Sequence, residues 1–124
     1  MKVGLSTTAF NGSTPREFEK WLDTVSELGF EFVELVSEWP HQITPENVRE
    51  WIEVLETFSM ANTLHAPFID LNIGSFNDKI RRVSLEILEE AFEVAATLGS
   101  EVLTVPPGYC SPLSRKHRGV SQNS

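Results

Sequence analysis

One junction occurs twice in the chain, and it narrows the fold more than any other feature. Leu28-Gly29-Phe30-Glu31-Phe32-Val33 and Leu98-Gly99-Ser100-Glu101-Val102-Leu103 each read as a helix end, a glycine stop, an acid and an apolar strand. Glycine closes a helix in the left-handed conformation that other residues enter only at a cost. Strands joined through single helices pair in parallel, because a parallel return requires a crossover.

The rest of the chain keeps the same rhythm. Lys2–Ser6, Phe30–Val36, Ala61–Ala66 and Glu101–Val105 read as four strands. Thr14-Pro15-Arg16-Glu17 opens the first helix with a capping box and a proline at the first helical position. Phe18, Trp21, Leu22, Val25 and Leu28 then recur at helical spacing. Thr44-Pro45-Glu46-Asn47 opens the second helix, whose buried stripe is Val48, Trp51, Ile52, Leu55 and Phe58. Asn77 or Asp78 opens the third and longest, with an inner face of Ile80, Val83, Ile87, Ala91, Val94, Ala95 and Leu98. The expected fold class is α/β, built of parallel (β/α) units. Periodicity alone fits either a doubly wound sheet or part of a closed barrel. The expected division is a (β/α) domain over 1–110 and a polar, basic tail over 111–124, where few apolar residues remain.

Charge and composition exclude several functions. The formal net charge is −8. It is unevenly spread: residues 1–101 carry −11 and residues 102–124 carry +3. An acidic body repels phosphate backbones, so nucleic acid is not an expected partner. No apolar run approaches the roughly 20 residues of a membrane-spanning helix, and the first residues lack a secretory pattern. The lone Cys110 rules out an intramolecular disulfide, and a reducing cytoplasm is the expected compartment.

In parallel sheets, ligands bind beyond the C-terminal ends of the strands. Alternation along each strand puts Ser6, Glu34, His65 and Thr104 on one polar face at those ends. His65 is the sharpest candidate: a neutral imidazole suits zinc, manganese or iron and also serves acid–base chemistry. Its alternative is a histidine hydrogen-bonded to its neighbours. Glu34 is suited to ligating a metal, holding a sugar hydroxyl or bridging to the next strand. Trp39, beside Pro40, is the aromatic residue placed to wall a pocket, while Trp21 and Trp51 read as helix-core positions. His41 and His117 read as surface loop histidines. Asn72-Ile73-Gly74-Ser75 can present backbone N–H groups to an anion before the third helix.

The run His65-Ala66-Pro67-Phe68-Ile69-Asp70-Leu71-Asn72-Ile73-Gly74-Ser75, followed by Arg82, Ser84, Ala91-Phe92, Leu98-Gly99 and Val105-Pro106-Pro107-Gly108, resembles the xylose isomerase-like barrel superfamily. That group includes sugar and sugar-phosphate isomerases and epimerases, and AP endonucleases of the endonuclease IV type. The resemblance implies the first half of a closed barrel that runs to roughly 250 residues. It also implies a divalent metal, zinc or manganese, with His65 at the position of a metal ligand and a sugar or sugar phosphate as substrate. Glu34, Ser6 and Trp39 are then the expected substrate contacts. The family's second histidine, before Pro-Gly at the end of strand four, is Pro106 here, so one expected ligand is missing. His65 with Glu34 falls short of the three protein ligands of a catalytic zinc site. The expectation is a partial barrel that is inactive alone and binds no metal tightly, with an abasic-site endonuclease fragment or a self-associating, non-catalytic remnant as alternatives. Unpaired edges at strands one and four predict a homodimer or larger oligomer.

Overall fold

The computed structural model describes residues 1–113 of the 124. The expected tail falls largely outside them, as does His117. Four strands form one sheet in the order β1 (Gly4–Ser6), β2 (Phe32–Val36), β3 (Ala61–His65) and β4 (Leu103–Thr104), with every neighbouring pair parallel. Between them run α1 (Pro15–Glu27), α2 (Val48–Thr57) and α3 (Asp78–Leu98), and a short 3₁₀ turn, Thr7–Ala9, follows β1. The fold is thus α/β with parallel units. The edge strands are shorter than expected because no neighbour pairs with their outer sides, though Leu64 N–H still reaches the Val102 carbonyl (2.9 Å).

Capping explains where the helices begin. Thr14 Oγ1 accepts from Glu17 N–H (3.2 Å), and Glu17 Oε2 accepts from Thr14 N–H (3.0 Å) and Ser13 N–H (2.8 Å). Thr44 and Asn47 make the same reciprocal pair, with asparagine in the usual glutamate place, but it closes a turn, and α2 starts only after it, at Val48, later than the expected opening at Thr44. Asn77 Oδ1 caps α3 through Lys79 and Ile80 N–H. Gly29 (φ +88°) and Gly99 (φ +65°) occupy the left-handed region, as the repeated junction requires.

The alternation along β2 and β3 fixes the core. Val33, Leu35 and Leu64 are fully buried and pack with Phe18, Leu22 and Val25 of α1, Val54 and Leu55 of α2, and Val94 and Leu98 of α3. Burying each such side chain is worth about 1.5–3 kcal/mol. Asn62, on the helix side of β3, is buried too, and its amide is used at both ends. Nδ2 donates to the Leu98 carbonyl (3.2 Å) and Oδ1 accepts from Ser100 Oγ, which ties the exit of α3 to the sheet. All three helices therefore cover one face of the sheet, and the other face stays half-exposed.

Three expectations fail. Leu28 is exposed at the very end of α1. Ile80 (46% exposed) and Val83 (50%) do not face the sheet. The buried positions of α3 are Ser84, Ala91, Val94 and Leu98, and its first turns run over the β3–α3 loop instead of the strands. There a serine is buried because Asn72 N–H donates to its Oγ (2.8 Å) while that hydroxyl donates to the Ile80 carbonyl (2.7 Å).

Asn72 then joins two loops. Its Nδ2 donates to the Tyr109 carbonyl and its Oδ1 accepts from Tyr109 N–H, both at 2.9 Å, and from Gly74 N–H (3.0 Å). Beside it Gly108 lies against the Gly74 backbone so closely that a Cβ would stand 2.7 Å from the Gly74 Cα. The loops that leave β3 and β4 are thereby fastened together.

Two outcomes follow for stability. The Ser13 and Thr14 N–H groups, with the Thr14 hydroxyl, hold the Glu17 carboxyl below the usual carboxylate range. A lowered folded value stabilises above the unfolded pKa and is lost as pH falls through the folded one. Melting temperatures from pH 7 to 2 should therefore show the advantage of wild type over Glu17→Gln constant at neutral pH and shrinking below about pH 4. Asn72→Ala strands buried partners in both loops and should cost about 1–3 kcal/mol in urea unfolding, where a shift within error would contradict the joint.

Candidate functional site

The open face of the sheet carries the polar residues, in register rows. Ser6, Glu34 and Thr63 make one row; Val36, His65 and Thr104 make the next, nearer the C-terminal ends. Rows on one face are about 6.6 Å apart along a strand and neighbouring strands about 4.8 Å apart. Glu34 and His65 are thus close neighbours on the face, with Ser6 beyond Glu34 and Thr104 beside His65.

Each of these side chains is differently committed. Ser6 Oγ caps the 3₁₀ turn, accepting from Thr8 N–H (3.3 Å) and the Thr8 hydroxyl (3.1 Å), so its hydroxyl proton alone is left to donate. Glu34 is half-buried and has no hydrogen-bond partner among the described residues. His65 Nδ1 lies 2.7 Å from the Ala66 carbonyl. A carbonyl only accepts, so in the neutral ring Nδ1 carries the proton and Nε2 keeps its lone pair. Nε2 has no partner among the described residues. The histidine thus satisfies both readings at once: one nitrogen is bonded to a neighbour, and that bond fixes the tautomer a ligand or an acceptor needs. Phe68 meets the ring edge-on, 5.1 Å away and inclined at 71°.

Beside this row lies a cavity of about 270 Å³ walled by Phe10, Val36, Trp39, Pro40, His41 and Phe68. Trp39 does wall a pocket, though it is 81% exposed. His41 corrects the expectation of a surface histidine: it is 9% exposed, stacks on Phe10 at 4.8 Å, and donates Nε2–H to the Gly12 carbonyl (2.6 Å). It fastens the β1–α1 loop over the cavity. No periodic pattern marks such a residue, because the loop that buries it is distant in sequence.

Three of the four N–H groups of Asn72-Ile73-Gly74-Ser75 are spent within the fold, Asn72 N–H on Ser84 Oγ, so the run does not form a cradle for an anion. Gly74 N–H donates to Asn72 Oδ1 and Ser75 N–H to the Asn72 carbonyl (3.2 Å). Sequence reasoning also missed Glu38. Its Oε1 accepts from Phe68 N–H (2.5 Å) and Ile69 N–H (2.7 Å), across from the end of β2 to the loop after β3. An acid just past a strand gives no hint in sequence of which loop it will reach.

Among the described residues no group of three histidine, cysteine, aspartate or glutamate side chains is placed to hold a metal ion. Pro106, at the end of β4, contributes no donor atom. His65 and Glu34 are suited to contacting a metal or a hydroxyl but do not complete a coordination sphere. None of the described helices is long and apolar enough to cross a membrane.

Comparison with known proteins agrees with this geometry. A family model described as xylose isomerase-like TIM barrel matches residues 22–121. The uncharacterized protein MJ1311 of Methanocaldococcus jannaschii is 34% identical over 113 residues, covering 91% of this chain and 38% of that one. The crystal structure of a D-tagatose 3-epimerase-like protein superposes with a TM-score of 0.79 at 30% identity, over 95% of this chain and 42% of that one. Endonuclease IV from Thermus thermophilus shares the fold, with a TM-score of 0.57 at 21% identity over 96% of this chain and 44% of that one. The chain spans less than half the length of these relatives, and its four strands correspond to part of their barrel. It belongs to the xylose isomerase-like TIM barrel family.

Proposed function

We propose that the chain forms the first half of a metal-dependent sugar or sugar-phosphate isomerase or epimerase barrel, and that it turns over no substrate by itself. One observation carries this reading: His65 stands on the open face with Nε2 free, next to an unpartnered Glu34 and an aromatic-walled cavity. Glu34 accepts from a sugar hydroxyl, Ser6 donates to one, and Trp39 packs on the apolar face of the ring. Zinc or manganese bound in a complete barrel would polarise the substrate's oxygens. The donor set of this chain does not fit such a site alone. Pro106, past the Thr104 that pairs with His65, has no ligating side chain, and the remaining ligands have no counterpart among its described residues. The likeness at 30% identity to a D-tagatose 3-epimerase-like protein supports a sugar substrate. Abasic DNA is the rival substrate, and the −11 charge of residues 1–101 opposes it. A reducing cytoplasm is the proposed compartment, with Cys110 a free thiol.

Titration of the amide resonances tests substrate class. Ketoses or ketose phosphates should shift Glu34 and His65, whereas an abasic duplex should not; the reverse result would favour phosphodiester chemistry. Calorimetry with zinc or manganese should find no site tighter than about 10 μM, about 7 kcal/mol. A stoichiometric sub-micromolar site abolished by His65→Ala would overturn this. Pro106→His should raise affinity only modestly, and isomerase turnover in that variant would show the rest of the barrel to be dispensable.

The partner proposed for the open edges is a second copy. β1 and β4 are both edge strands, and Val3 (54% exposed) and Val102 (56%) flank them. Setting β1 of each protomer beside β4 of its partner continues the parallel ladder to eight strands, an isologous closure that covers the half-exposed face. Light scattering should give about twice 14.0 kDa, and lysine at both Val3 and Val102 should shift the mass to that of one chain. A monomer that persists at high concentration in the unmodified protein would sink the dimer.

A further inference from the structure

We infer that Glu38 is the positioning residue of the candidate site: it fixes the loop after β3 so that Phe68 stands against His65 and holds the imidazole with Nε2 outward. This role rests on the reading of His65 as the working group of the site. The loop needs such a hold. β3 ends at His65, the Ala66 N–H is taken by the Thr104 carbonyl (2.9 Å), and the next anchor is Asn72 on Ser84. Between them the chain turns sharply, with Asp70 at φ +60°. Within residues 67–70 a local bond from Leu71 N–H to the Phe68 carbonyl (3.4 Å) shapes the turn but ties it to nothing else. Among the described residues, the hydrogen bonds that reach this segment from another element both end on Glu38 Oε1.

A carboxylate oxygen that accepts two N–H groups makes charge-assisted bonds, roughly twice as strong as neutral ones. They act on the backbone of Phe68 itself, the residue whose ring meets His65 at 5.1 Å. The imidazole is therefore held from two sides. The Ala66 carbonyl fixes which nitrogen is protonated, and the Phe68 edge limits rotation of the ring. Phe68 belongs to the segment that Glu38 pins, and the Ala66 carbonyl sits on the peptide that leads into it. Glu38 also lines the aromatic cavity beside Trp39 and His41, so the same carboxylate sets one wall of the pocket and the orientation of the group next to it.

The test compares Glu38→Ala, Glu38→Gln and Phe68→Leu with wild type by NMR, with no metal or sugar present, so its outcome is separate from that of the substrate and metal titrations. In Glu38→Ala the Phe68 and Ile69 amides should exchange about tenfold faster or more as the local opening energy falls. The His65 ring nitrogens should move from a single Nδ1–H signature toward mixed tautomers, while α1 and β1 amides stay unchanged. Glu38→Gln keeps one neutral acceptor and should restore part of both effects. Phe68→Leu should keep the amide protection at positions 68 and 69, lose the ring-current shift at His65 and show part of the tautomer mixing, because the imidazole loses its second brace. Should Glu38→Ala fail to fold, the Gln and Leu variants carry the same comparison. Unchanged exchange at Phe68 and Ile69, or a His65 signature indifferent to residue 38, would overturn the inference.

Discussion

The structure depends on a topological constraint: parallel neighbours cannot be joined by a tight turn, so each strand is followed by a helix that returns the chain over one face of the sheet. That return buries Val33, Leu35 and Leu64 beneath three helices and leaves the opposite face of the same strands half-covered. The division between core and site is thus set one residue at a time by the two-residue alternation. Val33 and Leu35 pack under the helices because of it, and Glu34, between them, turns the other way. A register slip by one residue would exchange the two faces and put a carboxylate into the core.

The parts governed by local rules were legible in the sequence. The Thr14–Glu17 box and the two glycine stops are short-range devices, and each sits where spacing put it, while the Thr44–Asn47 pair forms as a turn and α2 begins after it, at Val48. The open face bearing Ser6, Glu34, His65 and Thr104 followed from alternation, and so was legible too. The failures are contacts between segments far apart in the chain. His41 is buried by the carbonyl of Gly12, Ser84 is buried by Asn72, and Glu38 reaches the loop after β3. Hydrophobic period cannot report a polar residue that is buried because its partner arrives from elsewhere. Nor can it report where a helix outruns the sheet, as α3 does at Ile80 and Val83, which keep helical spacing but are exposed.

The candidate site is asymmetric. Its β2 and β3 side is well supported, with a fixed tautomer at His65 and a pinned loop beside it. Its β4 side offers the Thr104 hydroxyl and, one step on, a proline. Support of this kind comes from groups that never touch a ligand, and here the Ala66 carbonyl and the Phe68 ring supply it within three residues of His65.

Asn72 has a wider reach than its own loop. It precedes α3, yet both its amide atoms grip Tyr109, which follows β4 and α3 together. The backbone course of Pro106–Tyr109 is therefore dictated from the other end of α3, and Gly74 and Gly108 stand too close for either loop to be redrawn without the other. For anyone grafting new chemistry onto the end of β4, the unit of design is the pair of loops. A donor introduced at position 106 would inherit its aim from a side chain more than thirty residues upstream.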